Sequence, residues 1–105
     1  MPSIAVPEAT TAPTFKSAHF IGVGGAGMSG IALVLHERGC RVTGSDLKTS
    51  RYIRQLTRAG VPIHVGHAAS TIDEFQPDVV VVSTAIPETN PELVRARELG
   101  IPVWH

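Results

Sequence analysis

The segment Gly22-Val23-Gly24-Gly25-Ala26-Gly27-Met28-Ser29-Gly30 follows the run His19-Phe20-Ile21 and leads into the apolar stretch Ile31 to Leu35. That order predicts a strand turning sharply into a helix. Gly22, Gly24 and Gly27 fit G-x-G-x-x-G, whose glycines serve in turn a tight bend, close approach of backbone to phosphate, and helix–strand contact. A helix start of this kind attracts an anion because its first N–H groups have no partner inside the helix and lie at the positive end of its dipole. Ser29, in the first turn, either donates to a phosphate oxygen or caps the turn. Gly25 and Gly30 are additional to the pattern, and Gly30 inside a helix implies a close neighbour or a ligand.

Asp46 lies nineteen residues beyond Gly27, after the run Cys40-Arg41-Val42-Thr43. The offset is close to the roughly 20 residues at which a carboxylate accepts hydrogen bonds from a ribose diol. The competing reading is that Asp46 caps the following turn through Thr49 or Ser50. Lys48, Arg51 and Arg54 just beyond it read as solvated surface charges.

Further along, apolar runs alternate with helix-like segments. Strands are expected over 18–23, 41–45, 62–65 and 78–83 and from Ile101, with helices over 26–38, 50–59 and 91–99 and a short helix between His67 and Gln76. Gly39, Gly60 and Gly100 each follow a helix end, while Asn90-Pro91-Glu92 combines an N-cap, a first-position proline and an early negative charge. Met28, Ile31, Ala32 and Leu35 form a core-facing stripe on the first helix, and His36 suits that helix's carboxyl end. The expected fold is α/β: a Rossmann-like, three-layer parallel sheet of about five strands in order 3-2-1-4-5. Ligands in such sheets bind where the winding reverses, which gathers the glycine loop, Ser45-Asp46, Gly66-His67 and Ser83-Thr84-Ala85-Ile86.

At 105 residues the chain suits one domain, 17–105, preceded by a Pro-, Thr- and Ala-rich segment, 1–16, expected to be a flexible tail. Nine Lys and Arg balance nine Asp and Glu, so neither nucleic acid nor an acidic membrane surface is favoured. The single cysteine, Cys40, reads as a small buried hydrophobe in a reducing cytoplasm, and no signal peptide or bilayer-spanning run is present. No metal is expected from His64 and His67, which are not completed by a Cys or carboxylate cluster. No catalytic residue is assigned: there is no G-x-S-x-G elbow, no nucleophile–base pair and no G-x-x-x-x-G-K-[ST] loop. His67, at a strand's carboxyl end, is placed to hydrogen-bond a sugar or a base.

The motifs from Gly22 to Ala32, then Gly44-Ser45-Asp46, Gly66-His67, Ser83 to Ile86 and Asn90-Pro91-Glu92-Leu93, together closely resemble the amino-terminal domain of the UDP-N-acetylmuramate:L-alanine ligases, a branch of the bacterial Mur ligases. The likeness runs over residues 17–105. It implies a cytoplasmic, three-domain enzyme of peptidoglycan precursor synthesis, in which this first domain holds the UDP part of UDP-N-acetylmuramate. A central domain binds ATP and Mg2+, a third helps bind the amino acid, and both are expected to be partners absent from this chain. By the same resemblance the loop residues Gly22, Gly24, Gly25, Ala26, Gly27, Met28 and Ser29 would hold the diphosphate. Asp46 and His67 would lie near the uridine, and Ser45, Ser83, Thr84, Ala85 and Ile86 would line the crevice. One departure is Ile53, in Ser50-Arg51-Tyr52-Ile53, where the family often has threonine. The glycine spacing and Asp46 equally suit an NAD(P)-binding domain of a dehydrogenase or redox sensor, and a docking module with an unused crevice is a third reading.

Overall fold

A computed structural model describes residues 15–105; of the expected tail, 1–16, all but the last two residues lie outside the described residues. Five strands form one all-parallel sheet: β1 (Ser17–Ile21), β2 (Arg41–Asp46), β3 (Ile63–Val65), β4 (Val79–Val82) and β5 (Val103–Trp104), in the order β3-β2-β1-β4-β5. Between them run α1 (Ala26–Glu37), α2 (Arg51–Arg58), α3 (Ala69–Phe75) and α4 (Pro91–Glu98). The expected order is observed, and the reversal of winding falls between β1 and β4. β1 ends at Ile21 and β4 at Val82, short of the expected 23 and 83, where Gly22 and Ser83 open loops, and β3 starts at Ile63 rather than at 62.

The sheet separates two cores. On one side Ala18, Phe20 and Val42 pack with Ala32 of α1 and Ile53 and Leu56 of α2. On the other Ile21, Val80 and Val82 pack with Ile72 of α3 and Leu93 and Ala96 of α4. Strand alternation decides which residue faces which core. Ile31 departs from the expected stripe: it is 52% exposed. Three residues past Met28 carry it round the helix to an apolar flank that it shares with Val34.

Helix ends follow the expected chemistry. Gly39, Gly60 and Gly100 all have positive φ beyond the ends of α1, α2 and α4, a conformation that glycine adopts without steric penalty. Asn90 caps α4, its side-chain oxygen accepting from the Glu92 and Leu93 amides at 2.9 and 3.4 Å, with Pro91 at the first helical position. Phe15 and Lys16, the last two residues of the expected tail, depart from that expectation: the Lys16 amide donates to Asp78 (2.8 Å) and Phe15 meets Trp104 edge-on at 5.2 Å.

Close approach of α1's lead-in to β2 depends on Gly44. A Cβ there would stand 2.9 Å from Val23 Cγ1 and 3.1 Å from Ile63 Cδ1. Gly44→Ala is therefore expected to destabilise the fold by about 1–3 kcal/mol through overpacking, read as a lower urea midpoint with an unchanged slope.

Candidate functional site

The loop between β1 and α1 is built against two neighbouring strand ends. The Gly22 and Val23 amides both donate to the Ser45 carbonyl, at 2.9 and 3.1 Å. Gly22 has φ +83°, and a Cβ on it would meet Ile86 and Ser83 at 3.1 Å, so the bend is both left-handed and closely covered. The Gly24 amide donates to Asp46 Oδ2 at 2.8 Å; a Cβ on Gly24 would lie 2.7 Å from that same oxygen. Only glycine lets the carboxylate sit there.

Gly25 and Gly27 behave differently. A Cβ on either would meet nothing within 4 Å, so Gly27 does not make the helix–strand contact expected of it, and Gly30 likewise has open space. The Gly25, Ala26, Gly27 and Met28 amides find no acceptor among the described residues, as the geometry of a helix start requires. The Ser29 amide donates to the Gly25 carbonyl and its buried hydroxyl to the Ala26 carbonyl at 3.1 Å. Of the two readings for that hydroxyl, the local bond is the one made.

Asp46 is turned to the loop rather than to Thr49 or Ser50. Oδ2 holds Gly24, while Oδ1 receives only a long 3.4 Å approach from the Lys48 amide and so keeps acceptor capacity. Ser50 caps α2, accepting from the Ile53 amide, and its hydroxyl donates to the Gly24 carbonyl at 3.2 Å. Ile53 itself is buried, its Cδ1 lying 3.3 Å from where a Gly24 Cβ would be. The position that differs from the family's common threonine thus serves packing. The Ser83–Ile86 loop is folded by Ile86 N–H to the Ser83 carbonyl and Ala85 N–H to Ser83 Oγ, and joins the site through Ile86 and Ser83 against Gly22.

On the α3–α4 side Ser45 and His67 join a cluster whose other members, His19, Thr43 and Glu92, are not among the expected site residues. Glu92 is fully buried; its Oε1 accepts from His19 Nε2 at 2.7 Å and from the Ser45 hydroxyl at 2.6 Å, and its Oε2 from the Ala68 amide at 3.0 Å. His19 Nδ1 meets Thr43 Oγ1 at 2.6 Å, and Ser45 Oγ meets His67 Nδ1 at 2.9 Å. His67 is therefore brought to Ser45, and through it to Glu92. A histidine between the apolar Ala18 and Phe20 of a buried strand was the available signal, since such a group requires a partner. Nothing in local spacing says that the partner is 73 residues away.

Burial alone would raise the Glu92 carboxyl, but the hydrogen bonds from His19 and Ser45, the His19 charge and the Ala68 amide outweigh it and hold the group below its ordinary value of 4.5. A carboxylate lowered in the folded state stabilises fully above its unfolded value, and that contribution is lost as pH falls through the folded one. Acidification below about pH 4.5 should thus lower the urea midpoint more steeply for the native chain than for Glu92→Gln.

Residues 17–105 match the family described as "Mur ligase family, catalytic domain". The UDP-N-acetylmuramate--L-alanine ligase of Rubrobacter xylanophilus is 61% identical over 85 residues, covering 81% of this chain and 19% of that protein. The enzyme of the same name from Streptomyces coelicolor is 58% identical over 87 residues, 83% of this chain and 19% of its own length. Among solved structures, the UDP-N-acetylmuramate-alanine ligase of Thermotoga maritima superposes with TM-score 0.79 at 38% identity, covering 84% of this chain and 20% of that one. The UDP-N-acetylmuramate:L-alanyl-gamma-D-glutamyl-meso-diaminopimelate ligase of Neisseria meningitides gives 0.77 at 32%, over 86% and 28%. The chain spans about one fifth of the length of the curated relatives it matches. These relatives are ligases, and the NAD(P) reading of the glycine spacing gains no support from them. With a family match running from Ser17 to its last residue, the chain belongs to the Mur ligase family.

Proposed function

We propose that this chain is the nucleotide-holding, amino-terminal domain of a cytoplasmic ligase that joins L-alanine to UDP-N-acetylmuramate in peptidoglycan precursor synthesis. The observation that carries the reading is the set of four amides from Gly25 to Met28 that have no acceptor among the described residues, beside a carboxylate that Gly24 orients. The amides and the helix dipole hold the diphosphate without a formal positive charge. Asp46 Oδ1 accepts from the ribose diol, His67 lies towards the uridine, and Ser45 with Ser83, Thr84, Ala85 and Ile86 lines the crevice. Open space at the Gly25 and Gly27 Cβ positions fits the same reading, because no protein atom demands glycine there and an approaching pyrophosphate does.

The domain's part in the reaction is to bind and orient. The ATP and Mg2+ of the parent ligase do not fit this chain's residues: it has no G-x-x-x-x-G-K-[ST] loop, and the described residues include no group of three metal-ligating side chains. Those functions fall to the further ligase domains, which are its expected partners. Among the described residues no helix is long and apolar enough to cross a membrane.

Calorimetric titration of the 105-residue chain with UDP-N-acetylmuramate, UDP and NADH tests the proposal. Binding of both uridine compounds, with NADH unable to displace UDP, is expected. Tighter binding of NADH would reverse it.

A further inference from the structure

One polar atom of the Glu92 cluster is left unanswered by the fold. The His67 side chain is 6% exposed, and its Nε2 is the one buried side-chain nitrogen or oxygen among the described residues without a hydrogen-bond partner. Its protonation follows from the donor inventory. An ionised carboxylate only accepts, so Glu92 Oε1 takes the single hydroxyl proton of Ser45. Towards His67 Nδ1 the same serine oxygen then has only lone pairs, and Nδ1 must be the donor. In the neutral ring Nε2 is left as a bare acceptor. A charged ring would instead bury an N–H with nothing to receive it.

The backbone around His67 is fixed by the same partners. The Gly66 amide donates to the Asp46 carbonyl at 2.6 Å, and the Ala68 amide to Glu92 Oε2. His67 is thereby tied on one side to the residue assigned to the ribose and on the other to Glu92.

We propose that Glu92 is a positioning residue for nucleotide binding: acting through Ser45, it keeps His67 in the Nδ1–H form, so that Nε2 accepts an N–H or O–H of the bound nucleotide. The inference rests on the nucleotide reading above and adds to it the class of ligand group that this position takes, a donor from the base or the ribose. In Glu92→Gln the side-chain NH2 can donate to Ser45, which frees the hydroxyl proton for Nδ1 and moves the ring proton to Nε2. Two donors then oppose each other at the ligand.

The test is 15N NMR of the histidine rings in the 105-residue chain at neutral pH or above. Without ligand, His67 should carry its proton on Nδ1; finding it on Nε2 would overturn the proposal whatever the protein binds. On addition of UDP the Nε2 resonance should shift, with 2′-deoxy-UDP and N3-methyl-UDP used to tell a ribose donor from a base donor. Glu92→Gln should switch the tautomer and weaken UDP about tenfold. Ser45→Ala, which leaves Glu92 its His19 and Ala68 bonds, should weaken UDP similarly. A purely structural Glu92 would lower stability but leave the tautomer unchanged in Glu92→Gln, and that result would sink the proposal. If UDP moves the Gly25 to Met28 amides but not His67 Nε2, the proposal falls and the nucleotide reading stands; if it moves neither, both fall.

Discussion

Glu92→Ala is expected to lower the unfolding free energy by about 3–5 kcal/mol, the range for breaking a buried ionic group from one side. The substitution strands two buried donors, His19 Nε2–H and the Ser45 hydroxyl, together with the part-buried Ala68 amide. Domains of this size are stable by only about 5–15 kcal/mol in total, so the variant should be close to unfolding at physiological temperature. Urea denaturation at neutral pH measures the effect. Glu92→Gln preserves shape and some hydrogen bonding and should lose less, about 1–3 kcal/mol. A loss below about 1 kcal/mol in the alanine variant would mean that the cluster does not hold α4 to β1 and β2 as described.

Ala26→Asp should separate folding from binding by moving them in opposite directions. Ala26 is the exposed first residue of α1, in a first turn without an acidic residue. A carboxylate there suits the helix dipole and should raise stability by about 0.3–1 kcal/mol. The same carboxylate would stand among the amides assigned to the diphosphate. Two like charges about 4 Å apart repel by about 4 kcal/mol at an effective dielectric of about 20, which predicts UDP binding weakened several hundredfold or more. Thermal unfolding and calorimetry on one preparation check both signs. Unchanged UDP affinity in a stably folded Ala26→Asp would move the diphosphate elsewhere.

How much of this was legible beforehand differs by the range of the interaction involved. Strand order, helix ends and the glycine bend follow from local chemistry: Gly22 must be left-handed, Asn90 must cap, and Gly39, Gly60 and Gly100 must end helices. The gathering of the glycine loop, Asp46, His67 and the Ser83–Ile86 loop at one sheet end follows from topology once the alternation is read. Side-chain pairing across the sheet does not. Glu92 reads locally as a favourable charge at a helix start, yet the fold turns it inward to His19 and Ser45. Ile31 fails for a related reason, since helical spacing gives the width of an apolar stripe but not which edge of it the sheet covers. The Gly24–Asp46 contact lies between these cases: both residues belong to the recognised pattern, but only the structure reveals that the glycine is needed for the carboxylate itself.

We propose that the free amides at the start of α1 hold a diphosphate whose ribose reaches Asp46. Backbone 1H–15N spectra of the uniformly labelled 105-residue chain, recorded while UDP is titrated to millimolar concentration, test it most directly. The largest shifts are expected on Gly25, Ala26, Gly27 and Met28, with smaller ones around Asp46 and His67. Undisturbed resonances at those four amides, or shifts confined to the opposite end of the sheet around Gly39 and Gly60, would contradict it.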